Sequence, residues 1–192
     1  MSSSAVTLLD VVNKILVRLR DQVVLSVTST VSATGGAPAY TDTIVRLVND
    51  AKREVEDAFD WLALHNTLTV TTINGTKDYD LQNGSQSIYT NQRSRVLDVY
   101  DTTNDVVLRP RPYDFLRKQH QVSTSTNQQP YSYAISGINA TQSLTMQLYN
   151  TPDAAYVLSV ECIIPQEDLS ANADYFKVNW YPIYLKALSL AI

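Results

Sequence analysis

Nucleophilic catalysis needs a nucleophile, a base within hydrogen-bond reach of it and a third group that orients the base. The 192-residue chain holds two histidines, His65 and His120, and one cysteine, Cys162. His65 falls just past the end of a predicted helix, with no serine or cysteine beside it. His120 follows Arg117-Lys118-Gln119 in a polar run and has no second ligand at metal spacing. Cys162 sits in an apolar stretch that reads as a strand, where a cysteine is usually an inert small hydrophobe. A single cysteine also excludes an intrachain disulfide and a thiolate metal cluster. Carboxylates cluster at Glu54, Glu56, Asp57 and Asp60 and again at Glu167-Asp168. A general acid–base pair needs two carboxylates converging from different elements, which neighbours on one helix face do not provide. Asp78-Tyr79-Asp80 lacks the spacing of a calcium loop, and five glycines leave no phosphate-cradling loop. Asn74-Gly75-Thr76 and Asn139-Ala140-Thr141 match the glycosylation sequon. The amino terminus lacks the basic-then-apolar pattern of a secretory signal, so both matches read as incidental. This inventory predicts no enzymatic activity, no cofactor and no metal.

One concentration of charge stands apart. Between Arg109 and His120, the basic residues Arg109, Arg111, Arg117 and Lys118 meet a single acid, Asp114, with Tyr113 and Phe115 interleaved. The run reads either as a strand exit and helix start that happen to be basic, or as a patch for a protein partner or for phosphate. The whole chain speaks against a grip on DNA: 15 basic residues stand against 19 acidic, a formal net charge of -4. From Gln119 to Ala173 there is no Lys or Arg, while Asp153, Glu161, Glu167 and Asp168 are present. DNA is therefore expected to meet this chain only non-specifically and weakly.

Hydrophobic periodicity marks out the elements that must position these groups. Leu8, Val12, Ile15, Leu16, Leu19 and Val23 recur at helical spacing behind Thr7, an N-cap with Asp10 three residues on. The uncharged stretch from Ser26 to Tyr40 reads as a loop or protruding hairpin, mobile until assembly. A second helix, capped by Asp42, carries Ile44, Leu47, Val48, Ala51, Val55, Ala58, Phe59 and Leu62 on one stripe and is expected to end near Trp61–His65. Its other face pairs Arg46 with Asp50 and Arg53 with Asp57 at i,i+4. That face is either solvated surface or a contact between identical subunits in which complementary charges set register.

From Thr67 the period changes to two. Leu68, Val70 and Thr72 alternate with Thr67, Thr69 and Thr71, Asn74-Gly75 suggests a type I′ turn, and Lys77–Leu81 returns as the second arm of a hairpin. A second hairpin joins Arg95–Tyr100 to Val106–Leu108 and is expected to end at Pro110, which cannot stay in a ladder. Tyr113–His120 reads as a short helix, Val122–Gln129 as a mobile polar linker, and 131–136, 144–149 and 155–164 as strands. The last helix, from about Ala173, holds Trp180, Ile183, Tyr184, Ala187, Leu188 and Ala191 on one face. It ends apolar and uncapped at Ile192, so the native chain is expected to continue. No segment is long and apolar enough to span a membrane.

The predicted fold class is α+β: a helical bundle of two N-terminal helices plus a C-terminal helix, with an inserted antiparallel β module of about six to seven strands. The predicted domains are a helical unit, 1–65 with 174–192 packing on it, and the β module, 66–172.

Trp61-Leu62-Ala63-Leu64, followed by Leu68-Thr69-Val70-Thr71 and by Gly75 and Tyr79-Asp80-Leu81, resembles the head–tail adaptor proteins of tailed bacteriophages, also called connector, tail tubular protein A or gatekeeper proteins. Pro130-Tyr131-Ser132-Tyr133-Ala134-Ile135-Ser136-Gly137, Leu148-Tyr149-Asn150-Thr151-Pro152-Asp153 and Trp180-Tyr181-Pro182-Ile183 extend the likeness over most of 44–192. Where the family often has proline and an acidic residue after the first Tyr-x-Leu, this chain has Gln82-Asn83-Gly84. The resemblance implies a structural virion protein without enzymatic activity. Such adaptors form a homo-oligomeric ring, a dodecamer, beneath the portal protein and carry the DNA channel on to the nozzle or other tail proteins. It also implies a place in the neck or tail of the virion, and in the host cytoplasm during assembly. On that reading Arg46, Asp50, Arg53 and Asp57 meet a neighbouring subunit, and Arg109, Arg111, Arg117 and Lys118 meet a tail partner. Tyr181, Tyr184, Leu188 and Ile192 face the portal. The alternative is a β-rich ligand- or receptor-binding virion module, whose ring-stacking surfaces would come from the 12 tyrosines.

Overall fold

The computed structural model describes residues 6–20, 23, 26, 27, 38–83, 88–122 and 127–192. Most of the Ser26–Tyr40 stretch and the centre of the Val122–Gln129 linker, with the mobility expected of them, lie outside these. Among the described residues four α-helices and ten strands make a mixed α+β arrangement. Two compact units share the chain: Met1–Leu64 with Pro165–Ile192, and His65–Ile164.

In the first unit, α1 (Leu8–Arg18) begins with the capping box that Thr7 and Asp10 encode. The Thr7 hydroxyl accepts from the Asp10 N–H at 3.3 Å, and the Asp10 carboxylate accepts from the Thr7 N–H at 3.0 Å. The helix stops at Arg18, short of Val23, because the chain reverses at Arg20 with φ +60°. Next, α2 (Pro38–Asp57) starts four residues before Asp42, which pairs with Arg46 instead of capping. It ends at Asp57, not near Trp61–His65, and the Trp61 indole N–H donates to the orphan Val55 carbonyl at 2.9 Å. A 3₁₀ turn (Leu62–Leu64) follows, so Phe59 and Leu62 leave the buried stripe and stand in solvent.

The face that α2 buries is rotated toward its polar side. Ile44, Val48 and Ala51 are buried as expected, but so are Thr41, Asn49, Lys52 and Glu56. Lys52 is fully buried. Its Nζ donates to the Gln166 carbonyl at 2.6 Å and the Glu167 carbonyl at 3.1 Å, with Glu56 Oε1 at 3.5 Å. Asn49 holds Leu169 with two reciprocal bonds, Nδ2 donating to its carbonyl and Oδ1 accepting from its N–H, each at 2.9 Å. Arg53 closes on Asp168 with two guanidinium N–H groups. Asn49, Lys52, Arg53 and Glu56 follow the i, i+3, i+4, i+7 spacing of one helix stripe. The segment returning from the last strand thus finds its hydrogen-bond partners on α2. This explains why 165–173, expected with the strands, belongs to the helical unit. The final helix, α4 (Trp180–Ala191), begins later than Ala173, at the Asn179 cap, whose side chain accepts from the Tyr181 N–H at 3.1 Å. Pro182 sits in its first turn, where an N–H has no helical partner to lose. α2 packs against α4, and α1 contacts both.

The second unit contains β1 (His65–Thr71), β2 (Asp78–Asp80), β3 (Gln82–Asn83), β4 (Ile88–Tyr89), β5 (Arg95–Asp101), β6 (Val106–Val107), β7 (Arg109–Pro110), α3 (Tyr113–Val122), β8 (Ser132–Ile138), β9 (Leu144–Tyr149) and β10 (Val157–Ile163). Sheet one has the order β1-β10-β5-β6 and sheet two the order β2-β9-β8-β7, with β3-β4 as a small ribbon. The strands are more numerous and shorter than the six to seven expected, and β7 runs parallel to β8.

The Asn74-Gly75 turn forms but closes no hairpin. Gly75 takes φ +79° and the Thr76 N–H reaches the Ile73 carbonyl at 3.0 Å, yet Asn74 stays out of the positive-φ region that a type I′ turn also requires there. The Tyr79 hydroxyl fastens this turn, accepting from the Ile73 N–H at 3.0 Å and donating to the Thr76 carbonyl at 2.7 Å. The two arms therefore part: β1 pairs with β10, and β2 with β9. The β5–β6 hairpin ends before Pro110, as expected, but the proline itself stays in a ladder, that of β7 with β8. The Arg109 and Arg111 N–H groups donate to the Tyr131 and Tyr133 carbonyls at 2.9 and 2.8 Å, and the proline falls between these donors. The chain crosses from sheet one to sheet two at this point.

Leu68, Val99, Leu158 and Val160 of sheet one share one core with Tyr133, Met146 and Leu148 of sheet two. α3 covers the other face of sheet two. Leu116 is buried, His120 Nε2 lies 3.2 Å from the Leu148 carbonyl, and the His120 ring meets Tyr149 edge-on at 5.2 Å. The layers of this unit run α3, sheet two, sheet one.

Lys52→Met removes the Nζ–H groups that donate to two backbone carbonyls and the cation facing Glu56. It should cost about 3–5 kcal/mol in urea unfolding, with loss of amide-exchange protection at Leu169. A midpoint equal to wild type would show that the buried lysine does not hold the return segment.

Candidate assembly surfaces

The groups capable of nucleophilic chemistry are kept apart. Cys162 pairs with Asn66 across the β1–β10 ladder, so His65, one residue earlier on β1, points to the opposite face. Burial pushes the Cys162 thiol up to about 12, with Glu161 adding to the effect, and the Sγ–H donates to the Asn66 carbonyl at 3.4 Å. His120 lies against Tyr149 in the other sheet. Among the described residues no group of three or more His, Cys, Asp or Glu side chains is arranged to hold a metal ion. No helix among them is long and apolar enough to cross a membrane. What the described residues do present is an exposed apolar stripe on α4 and exposed charge on α2 and α3.

The charged face of α2 finds partners in its own chain, which corrects the pairing read from its sequence. Arg46 bonds Asp42 at 2.9 Å and not Asp50. Arg53 turns to Asp168, with Asp50 at 3.6 Å, and Glu54 takes Lys186 of α4 at 2.7 Å. The case for a subunit contact through Arg46, Asp50, Arg53 and Asp57 rested on a face without an in-chain complement. The return segment supplies one for Arg53, while Arg46 and Asp50 pair along α2 itself.

On α4 the expected portal-facing set divides. Tyr184 is only 8% exposed and is buried with Ile183 and Ala187, so it is not a surface residue, and Leu188 is half-buried. Tyr181 and Ile192, in contrast, are 52% and 91% exposed, joined by Leu185 at 47%. Tyr181, Leu185, Leu188 and Ile192 lie at i, i+4, i+7 and i+11, a single stripe beside the buried face. Leu185 was missed in the sequence because it falls outside the most regular apolar stripe. Its spacing from Tyr181 was the available signal. Next to the stripe, Lys14 of α1 sits 3.9 Å from the centre of the Trp180 ring, a cation–π contact that fixes the start of α4. An open cleft of about 610 Å³ beside it is lined by Asp10, Asn13, Lys14, Val17, Arg18 and Tyr184.

The basic patch of the second unit is brought together as its sequence suggests. Leu116 anchors α3 while Arg109, Arg111, Arg117 and Lys118 remain exposed. The Arg111 guanidinium lies 5.5 Å from the Phe115 ring centre. Arg117 has Asp114 at 3.7 Å, whereas Arg109, Arg111 and Lys118 have no ion-pair partner among the described residues.

A mixed α+β chain whose conspicuous surfaces are an apolar stripe and segregated charge describes a component built to join other proteins. The chain belongs to the SU10 adaptor protein family, whose model matches residues 6–191. It is thus a bacteriophage adaptor, a structural component of the virion that interacts with other capsid or tail components. No curated protein matches the chain.

Cys162 provides a test of the core around it. Its folded value of about 12 lies above the ordinary thiol value of 9.0, so the folded chain keeps a proton that the unfolded chain gives up. Its contribution to stability should be full below pH 9.0 and fade as the pH rises toward 12. Folded protein at pH 8 should resist a thiol reagent and react only once unfolded by urea. Rapid labelling of the folded chain would contradict the buried, protonated thiol.

Proposed function

We propose that this adaptor is a head–tail adaptor. Identical copies assemble as a ring between the portal and the tail or nozzle, continue the DNA channel and perform no enzymatic reaction. The observation that carries this reading is the exposed stripe of Tyr181, Leu185 and Ile192 on α4. Apolar area left in water forgoes roughly 25 cal/mol per Å², and contiguous patches of it mark sites of protein contact. Tyrosine is enriched among binding hot spots. We assign this stripe to the portal, as in the adaptors that the chain resembles. The acidic balance of the chain and its run without Lys or Arg from Gln119 to Ala173 suit a channel through which DNA slides.

Replacing Tyr181 by Ala together with Leu185 and Ile192 by Ser should weaken binding to the portal protein of the same phage by about tenfold or more, with an unchanged urea midpoint. Undiminished binding would remove α4 from the portal contact, and wild-type chain that ignores the portal would sink the head–tail reading. A short DNA duplex titrated by fluorescence anisotropy should bind no tighter than the non-specific range of about 10⁻⁴–10⁻⁶ M. Sub-micromolar binding that survives 200 mM salt would instead assign this chain a nucleic-acid grip.

A further inference from the structure

We infer that neighbouring copies of this chain meet through their β units, the α3–β7 face of one copy docking on the outer face of sheet one of the next. The inference rests on the ring reading above and names the surfaces that would close it.

Two faces of opposite charge lie on opposite sides of the β unit. On one side α3 covers sheet two. There Arg109, Arg111 and Lys118 are exposed and lack ion-pair partners among the described residues, with Phe115 and Tyr113 between them. On the other side, Asp98 of β5 and Glu161 of β10 stand directly opposite each other in the ladder. They alternate with the buried Val99, Val160 and Cys162, so both point away from the core. Among the described residues Glu161 accepts only from the Thr67 hydroxyl at 3.0 Å, and Asp98 only from the Val99 N–H at 2.8 Å. Neither has a cationic partner among the described residues. Like charges facing each other across a ladder repel, and a cation from outside relieves that repulsion. A third carboxylate, Asp105, is held on this side by the Tyr100 hydroxyl at 2.6 Å. Leu97 and Val107 are exposed beside these acids, an apolar complement for Phe115 and Tyr113.

Apart from Arg95 at the start of β5 on the acidic side and Asp114 on the basic side, the unit is basic on one side and acidic on the other, and so is complementary to itself head to tail. Repetition of such a heterologous contact generates a ring when the rotation closes. An acidic segment of an unrelated protein would satisfy the basic side alone and leave Asp98 and Glu161 opposed. A second copy satisfies both. The other candidate surface, the charged face of α2, has its counter-charges within its own chain.

The test uses two charge-reversed full-length chains, one with Arg111→Glu and Lys118→Glu, the other with Asp98→Lys and Glu161→Lys, followed by mass photometry. Each alone should lose self-association by about tenfold or more, because both of its contact faces then carry one sign. An equimolar mixture should regain it, since each acidic copy can lie between two basic ones. Variants that assemble like wild type overturn this contact and leave the portal-binding test of the adaptor reading untouched. Native-like variants whose mixture stays dissociated overturn it as well. Wild-type chain that remains monomeric in every condition overturns this contact and the ring together. Should a reversal fail to fold, Arg111→Gln with Lys118→Gln must flatten the salt dependence of assembly, and an unchanged slope counts against the contact.

Discussion

The segment that leaves β10 has to bring bare backbone against α2 before it can start another helix. Gln166 and Glu167 offer carbonyls, and Leu169 both a carbonyl and an N–H, with no ladder or helix of their own to satisfy them. Lys52 and Asn49 supply the missing partners, and Arg53 adds a charge-assisted pair with Asp168. Burial of an ammonium costs several kcal/mol, which only close, well-directed acceptors can offset. Two carbonyls at 2.6 and 3.1 Å and Glu56 at 3.5 Å provide them. The clasp lies ten residues or so ahead of α4, which begins at its own Asn179 cap. The Lys186–Glu54 pair and the Lys14–Trp180 contact then hold α4 against α2 and α1. The stripe assigned to the portal depends on that placement.

This use of charge has a consequence for assembly. The mixed-sign face of α2 is consumed in closing its own unit, as Arg53, Glu54 and Lys52 all point into the chain's own segments. The β unit does the reverse: among the described residues Arg109, Arg111 and Lys118 on one side and Asp98 and Glu161 on the other have no ion-pair partner. Self-satisfied charge stabilises a subunit, and unsatisfied charge of opposite sign on opposite sides sets the register of contacts between subunits.

Features that depend on near neighbours in the chain were legible in the sequence. The Thr7–Asp10 capping box, the β5–β6 hairpin and the α3 basic patch each involve residues within a few positions of one another. Features that depend on distant competition were not. Lys52 reads as one more charge on an amphipathic helix, because its acceptors lie 114 and 115 residues away. Arg53 leaves the helical pairing rule for Asp168, also 115 residues away. Asn74-Gly75 reads as a hairpin turn until the Tyr79 hydroxyl takes its backbone groups and sends the two arms to different sheets. The apolar period of α4 already put Tyr184 with Ile183 and Ala187 on the buried face and left Leu185 off it; the portal assignment taken from the resemblance, not the period, misplaced Tyr184.

Electron cryomicroscopy of the assembled particle tests the central claim most directly. The account predicts a closed ring in which Arg111 and Lys118 of each copy lie against Asp98 and Glu161 of the next, while Lys52 stays buried beneath the return segment within its own copy. A ring closed instead through the charged face of α2, with the α3 patch and the outer face of sheet one both left in solvent, would contradict it.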